Sequence, residues 1–160
     1  HHLTYIDEDL SNYDGTLRVN PPLRLKSDRK ALQVALYNGT IDSVISDHRP
    51  ENRESHDVEF MLSPNGISGI ESVFCAVNTA CHNLDLNRLI DSISNSTRRV
   101  YNLPEVHIEI NSPAKITWFN PKEKFNFQNI SGGVNNPWTN RNLNGAVYGC
   151  INGHRIHLND

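Results

Sequence analysis

The run Ile41-Asp42-Ser43-Val44-Ile45-Ser46 followed by Asp47-His48-Arg49-Pro50 decides how this chain is read. A short apolar run that ends in an Asp-His pair predicts a strand delivering a carboxylate and an imidazole to a sheet edge, where barrel enzymes place their chemistry. Upstream, Ser27-Asp28-Arg29-Lys30 precedes Leu32, Ala35 and Leu36 at helical spacing, with Ser27 as the expected N-cap. Asn38-Gly39 supplies the stop, since either residue tolerates a left-handed C-cap. The two together read as an αβ unit with the Asp-His pair just past its strand.

Outward from this unit, residues 1–26 carry turn signals and residues 48–66 are charged and irregular, which predicts loops. Ile70, Val73, Phe74, Val77 and Cys81 share one face of an expected helix over 67–81. Leu86, Leu89, Ile90 and Ile93 mark a second helix, and residues 96–101 a third, stopped at Leu103-Pro104. Beyond residue 105 the pattern turns to strands: Val106-His107-Ile108-Glu109-Ile110, Ile116-Thr117-Trp118-Phe119 and Phe125-Asn126-Phe127. Asn152-Gly153 between two short runs is a strong hairpin signal. The chain thus divides into an α/β portion, residues 1–104, and a small β portion, residues 105–160.

With 160 residues the chain is long enough for one real core. Its net charge of −3, with charges interspersed, offers no basic stripe for nucleic acid and no polybasic patch for a membrane. The three cysteines, Cys75, Cys81 and Cys150, lack Cys-x-x-Cys spacing, and Cys75 and Cys81, in an apolar helical run, read as core thiols, which favours a cytoplasmic setting. Three Asn-x-Ser/Thr triplets are present, and 21 Asn with 20 Ser plus Thr give about that number by chance. The glycines do not form a Gly-x-Gly-x-x-Gly or phosphate-loop pattern. No two histidines are two residues apart, so a His-x-His metal pair is missing from the sequence.

Five segments in order resemble dihydroorotases, cyclic amidohydrolases of pyrimidine synthesis. They are Asn20-Pro21-Pro22-Leu23-Arg24, Asp47-His48-Arg49-Pro50-Glu51, Asn65-Gly66-Ile67-Ser68-Gly69-Ile70-Glu71, residues 95–103, and Asn135-Asn136-Pro137-Trp138 with Leu143-Asn144-Gly145-Ala146-Val147. The start at His1-His2-Leu3 is similar to the family's Pro-His-His-Leu segment; without Leu3, the two histidines would read equally as a tag remnant. The resemblance implies the C-terminal part of a (β/α)8 TIM-type barrel followed by a small β-sandwich segment, as the tail of a longer enzyme. It implies zinc-dependent interconversion of dihydroorotate and N-carbamoyl-aspartate. Asp47 would be metal ligand and general base, and Asn20, Asn65 and Gly66 would hold the substrate.

Departures from the family pattern accompany the likeness. Glu51 stands where the family has a His that helps bind the substrate carboxylate, and Arg49 where it has Ala. The remaining zinc ligands of the family lie on strands upstream, so the chain alone is expected to be inert. Exposed barrel edges would pair with a second copy or with the missing N-terminal portion. Two other readings stay open: a catalytically silent homologue serving as partner subunit, for instance to an aspartate transcarbamoylase, and a related cyclic amidase with another substrate.

Overall fold

The computed structural model describes residues 1–159. Two 3-10 turns, Asp7–Leu10 and Gly15–Leu17, open the chain. Helix α1, Lys26–Tyr37, begins one residue before Ser27, with Leu25 at the N-cap. The reason lies in Asp28, whose carboxylate reaches back to accept the Leu25 N–H at 3.1 Å and satisfies that donor. The helix stops at Asn38, followed by Gly39 at φ 81°.

Residues 41–46 run in irregular backbone and form no strand. They are held instead by single bonds, Ile41 N–H to Ala35 C=O at 3.0 Å and Val44 N–H to Ser92 C=O at 2.9 Å. An apolar run becomes a strand only beside another strand, and here one isolated parallel bridge, His48 with Ile67, is all that forms.

Short helix α2, Arg53–His56, interrupts the 48–66 loop. Helix α3, Val73–Ala80, occupies only the end of the predicted 67–81 helix. Its first third is pulled out of helix because its backbone groups bond elsewhere: Ile67 C=O to Arg49 N–H at 2.9 Å, and Ser68 N–H to Asn135 C=O at 3.1 Å. Helix α4, Leu86–Ile93, forms as expected, capped by Asp85, whose carboxylate accepts from Asn87 and Arg88 N–H at 3.0 and 3.2 Å. Helix α5, Asn95–Val100, follows at once.

The predicted strand at 106–110 is absent from the described structure. Its alternation finds nothing to pack on, and Ile108 and Ile110 stand almost fully exposed. Strand β1, Lys115–Asn126, merges the two short runs that the sequence offers separately. It pairs antiparallel with β2, Asn142–Asn152, which pairs with β3, Arg155–Leu158; the hairpin forms as expected, but its turn is Gly153-His154, one residue later than Asn152-Gly153, with Asn152 paired to Arg155. Gly153 takes the positive φ, 61°, that such a turn requires.

Two apolar clusters make the interior, and α3 serves both. Cys75 and Ala76 pack with Leu17, Val19, Leu23, Ile67, Phe127, Trp138 and Leu143, on both sides of residue 104. Val77 and Cys81 pack with Leu36 and Leu89, flanked by Ile41 and Val44. Both cysteines are core residues, and burial pushes the Cys75 thiol up to about 11. Helix α3 is fastened to the sheet by Asn78, which donates to Pro121 and Asn144 C=O at 2.8 and 3.1 Å. Gly145, at φ 106°, lets the Phe74 ring close on that strand, where a Cβ would sit 2.8 Å from the ring.

Two polar fastenings hold the loops above these clusters. The buried side chain of Asn135 donates to Arg49 C=O at 2.9 Å and Gly66 C=O at 3.0 Å, and accepts from Glu51 N–H at 2.9 Å. Glu71 accepts from the backbone N–H of Ile130 and Ser131 at 2.8 and 2.7 Å. Partial burial opposes its charge, but those N–H donors and the Ser131 hydroxyl outweigh it and hold the carboxyl below its usual value.

Replacing Asn135 by Asp turns two donors into a carboxylate facing two carbonyls, and should destabilise the protein by roughly 3 kcal/mol or more in urea unfolding. Glu71, depressed in the folded state, contributes above its unfolded value and loses that contribution as pH falls through the folded one. Glu71→Gln should therefore cost about 1 kcal/mol at neutral pH, a figure discounted for solvent screening. The difference from wild type should shrink as pH falls below the usual carboxylate range in the same unfolding assay.

Candidate functional site

Asp47 lies where the 41–46 segment meets the loop that Asn135 fastens. Its φ of 43° is left-handed, a conformation that Asp tolerates better than most residues. The next residues are fixed by the His48 bridge to Ile67 and the Arg49 N–H bond to Ile67 C=O. His48 Nδ1 accepts the Ile70 N–H at 3.3 Å, so its imidazole tethers this loop to the turn before α3.

A cavity of about 320 Å³, at the small end of the range for small-molecule sites, brings Asp47 together with Asn20. Most of its wall is apolar, from Leu32 and Leu36 of α1 and from Ile41, Val44 and Ile45. His1 and His2 complete the lining, a contribution that the sequence left undecided between tag and site. Their ring centroids lie 4.4 Å apart with the planes tilted by 55°, and His1 Nδ1 and His2 Nε2 are buried without a hydrogen-bond partner among the described residues. Burial also lowers the affinity of the His2 imidazole for a proton. The only sequence signal for these two was their place next to Leu3 in the family-like opening segment.

Asn65, Gly66 and Glu51 lie outside the lining of this cavity. Gly66 is buried at φ 141°, with its N–H on Arg18 C=O at 2.9 Å, two residues before Asn20. Asn65 beside it is exposed. A Cβ at Gly66 would come within 2.5 Å of the Arg49 side chain, so the Arg49 stem lies directly across this glycine. Glu51 directs its carboxylate to the Ser55 hydroxyl at 2.8 Å, at the start of α2. Arg49, by contrast, places Nε 3.3 Å from Asp47 Oδ1. This ion pair was not foreseen, because it depends on the left-handed turn at Asp47.

The described residues contain no group of three or more His, Cys, Asp or Glu side chains placed to hold a metal ion. Asp47 by itself is one ligand of the several that a zinc site needs. No helix among them is long and apolar enough to cross a membrane.

No protein-family profile matches the chain. Among curated proteins it is 34% identical to the dihydroorotase of Clostridioides difficile, over 98% of this chain and 38% of that protein. It is 32% identical to the dihydroorotase of Thermus aquaticus over the same shares. The chain therefore spans well under half the length of the relatives it matches. Among solved structures, a D-hydantoinase superposes with a TM-score of 0.82 at 20% identity, covering 99% of this chain and 38% of that one. The D-hydantoinase (dihydropyrimidinase) of a Thermus species superposes at 0.76 and 25% identity, covering 91% and 34%. The fold is thus one shared with cyclic amide hydrolases, and by sequence the chain belongs with the dihydroorotases, as a stretch consistent with their C-terminal portion.

Proposed function

We propose that the protein carrying this chain is a dihydroorotase, which hydrolyses and re-forms the cyclic amide of dihydroorotate in pyrimidine synthesis in the cytoplasm. The observation that carries the reading is the single cavity shared by Asn20 and Asp47, two positions that lie 27 residues apart within the family-like segments. Similarity to dihydroorotases along 98% of the chain supports the same substrate. In this reading residues 1–104 complete a (β/α)8 barrel and 105–160 complete a β-sandwich. Their remaining strands come from the part of the relatives' length that this chain does not span.

Asp47 takes a proton from the attacking water and passes it to the leaving ring nitrogen, a transfer that a carboxylate within hydrogen-bond reach performs well. Asn20 offers an amide to the ring; of the Asn65-Gly66 pair, which lies outside the cavity lining, the Asn65 backbone is the part left for the substrate carboxylate, because Gly66 N–H and C=O are taken by Arg18 and Asn135. Zinc, when bound, lowers the pKa of water toward neutrality and polarises the carbonyl. Asp47 would be this chain's ligand to it. Since the described residues do not make a zinc site by themselves, residues 1–160 alone are expected to be inert. Pairing with a second copy, with the complementary N-terminal portion or with an aspartate transcarbamoylase would cover the exposed edge at β3, all four of whose residues are exposed.

A second reading, a silent homologue kept for its surfaces, is favoured by Glu51, an anion where the family has a His. A cyclic amidase for neutral rings is favoured by the hydantoinase neighbours. Zinc content and dihydroorotate turnover of the full-length protein separate the three. The dihydroorotase reading expects zinc and turnover, and Asp47→Asn should lower kcat at least ~100-fold, the low end for losing a general base. Metal-free protein without turnover points to the silent homologue, whereas zinc with turnover of hydantoin alone points to the neutral-ring amidase. Glu51→His should raise activity only where a competent site exists.

A further inference from the structure

Arg49, outside the cavity lining, is ion-paired with the candidate base, and the way it is held has no use in the mechanism above. Its backbone is fixed at both ends, N–H to Ile67 C=O and C=O to the Asn135 amide, each at 2.9 Å. Its stem lies across Gly66, where no larger residue fits. These restraints leave little freedom for the guanidinium to be elsewhere. Only Nε is engaged, on Asp47 at 3.3 Å; among the described residues the two terminal nitrogens make no hydrogen bond or ion pair. The side chain remains 54% exposed, so those nitrogens are open to a ligand.

A guanidinium is a planar fork whose paired N–H groups match a carboxylate. With one edge on Asp47 and the other free, it can hold an anionic group beside the base without giving up the base. Glu51 does not compete for this role, because its carboxylate is turned to Ser55. We infer that Arg49 recognises the carboxylate of an anionic cyclic amide, and so sets the preference of this site for charged over neutral rings. The inference rests on the cyclic amidohydrolase reading and adds the residue that selects among its substrates.

The test uses the full-length protein with orotate as an anionic probe and uracil as a neutral one of the same ring, both titrated by calorimetry, with dihydroorotate turnover measured alongside. Arg49→Ala should weaken orotate roughly 10- to 100-fold, the range for losing a charged hydrogen bond, while uracil changes by less than about 2-fold. Arg49→Lys should recover part of the orotate affinity, because it restores the charge without the fork. Equal losses for both probes, unchanged orotate affinity, or a wild-type protein that binds neither probe would overturn the inference. Arg49-dependent orotate binding without turnover would leave it standing and sink the dihydroorotase reading instead. Turnover with orotate affinity indifferent to Arg49 would do the reverse.

Discussion

The buried amide of Asn135 is the constraint on which the arrangement around Asp47 depends. Three segments meet there, and each contributes backbone groups that the amide satisfies, that of Gly66 fully buried. A primary amide is the one uncharged side-chain end with two donors and a two-lone-pair acceptor in a plane. It can therefore bond the carbonyls of Arg49 and Gly66 and the N–H of Glu51 at once. Trp138, three residues on, anchors the same segment in the apolar interior. The polar fastening and the hydrophobic one thus act on one short stretch.

Asp47 stands at the junction of the two apolar clusters. The residues leading to it, Ile41 and Val44, flank the cluster of Leu36 and Leu89. The residue bridged to its neighbour, Ile67, belongs to the other cluster. Helix α3 contributes to both, so the loop that carries the carboxylate is packed between two clusters that share one helix.

Local signals with a local cause were legible in the sequence. The α4 segment, the Asn152-Gly153 hairpin and the stop after α1 depend on caps and turns within a few residues of themselves. Elements whose existence depends on distant partners were not. Residues 41–46 and 106–110 have strand-like patterns, but a strand needs a neighbour and neither run has one among the described residues. The start of α3 moved because Asn135 and Arg49, 67 and 18 residues away from Ser68 and Ile67, claim the backbone there. Asn20 and Asp47 were singled out through resemblance, and the cavity places them together. Their pairing with His1 and His2, and the Arg49 contact, required the folded chain.

The sequence separations across the Asn135 amide, 84 residues to Glu51 and 86 to Arg49, carry a consequence for how the molecule is made. Contacts of such range are slow to form, since a long loop must be closed before they return any stability. A chain emerging from the ribosome N-terminus first completes the Asp47 loop well before Asn135 exists to fasten it. During that interval the candidate base and its neighbouring arginine belong to an unanchored segment. The loop that carries Asp47 accordingly acquires its final shape only after Asn135, made much later than the loop itself, has joined it.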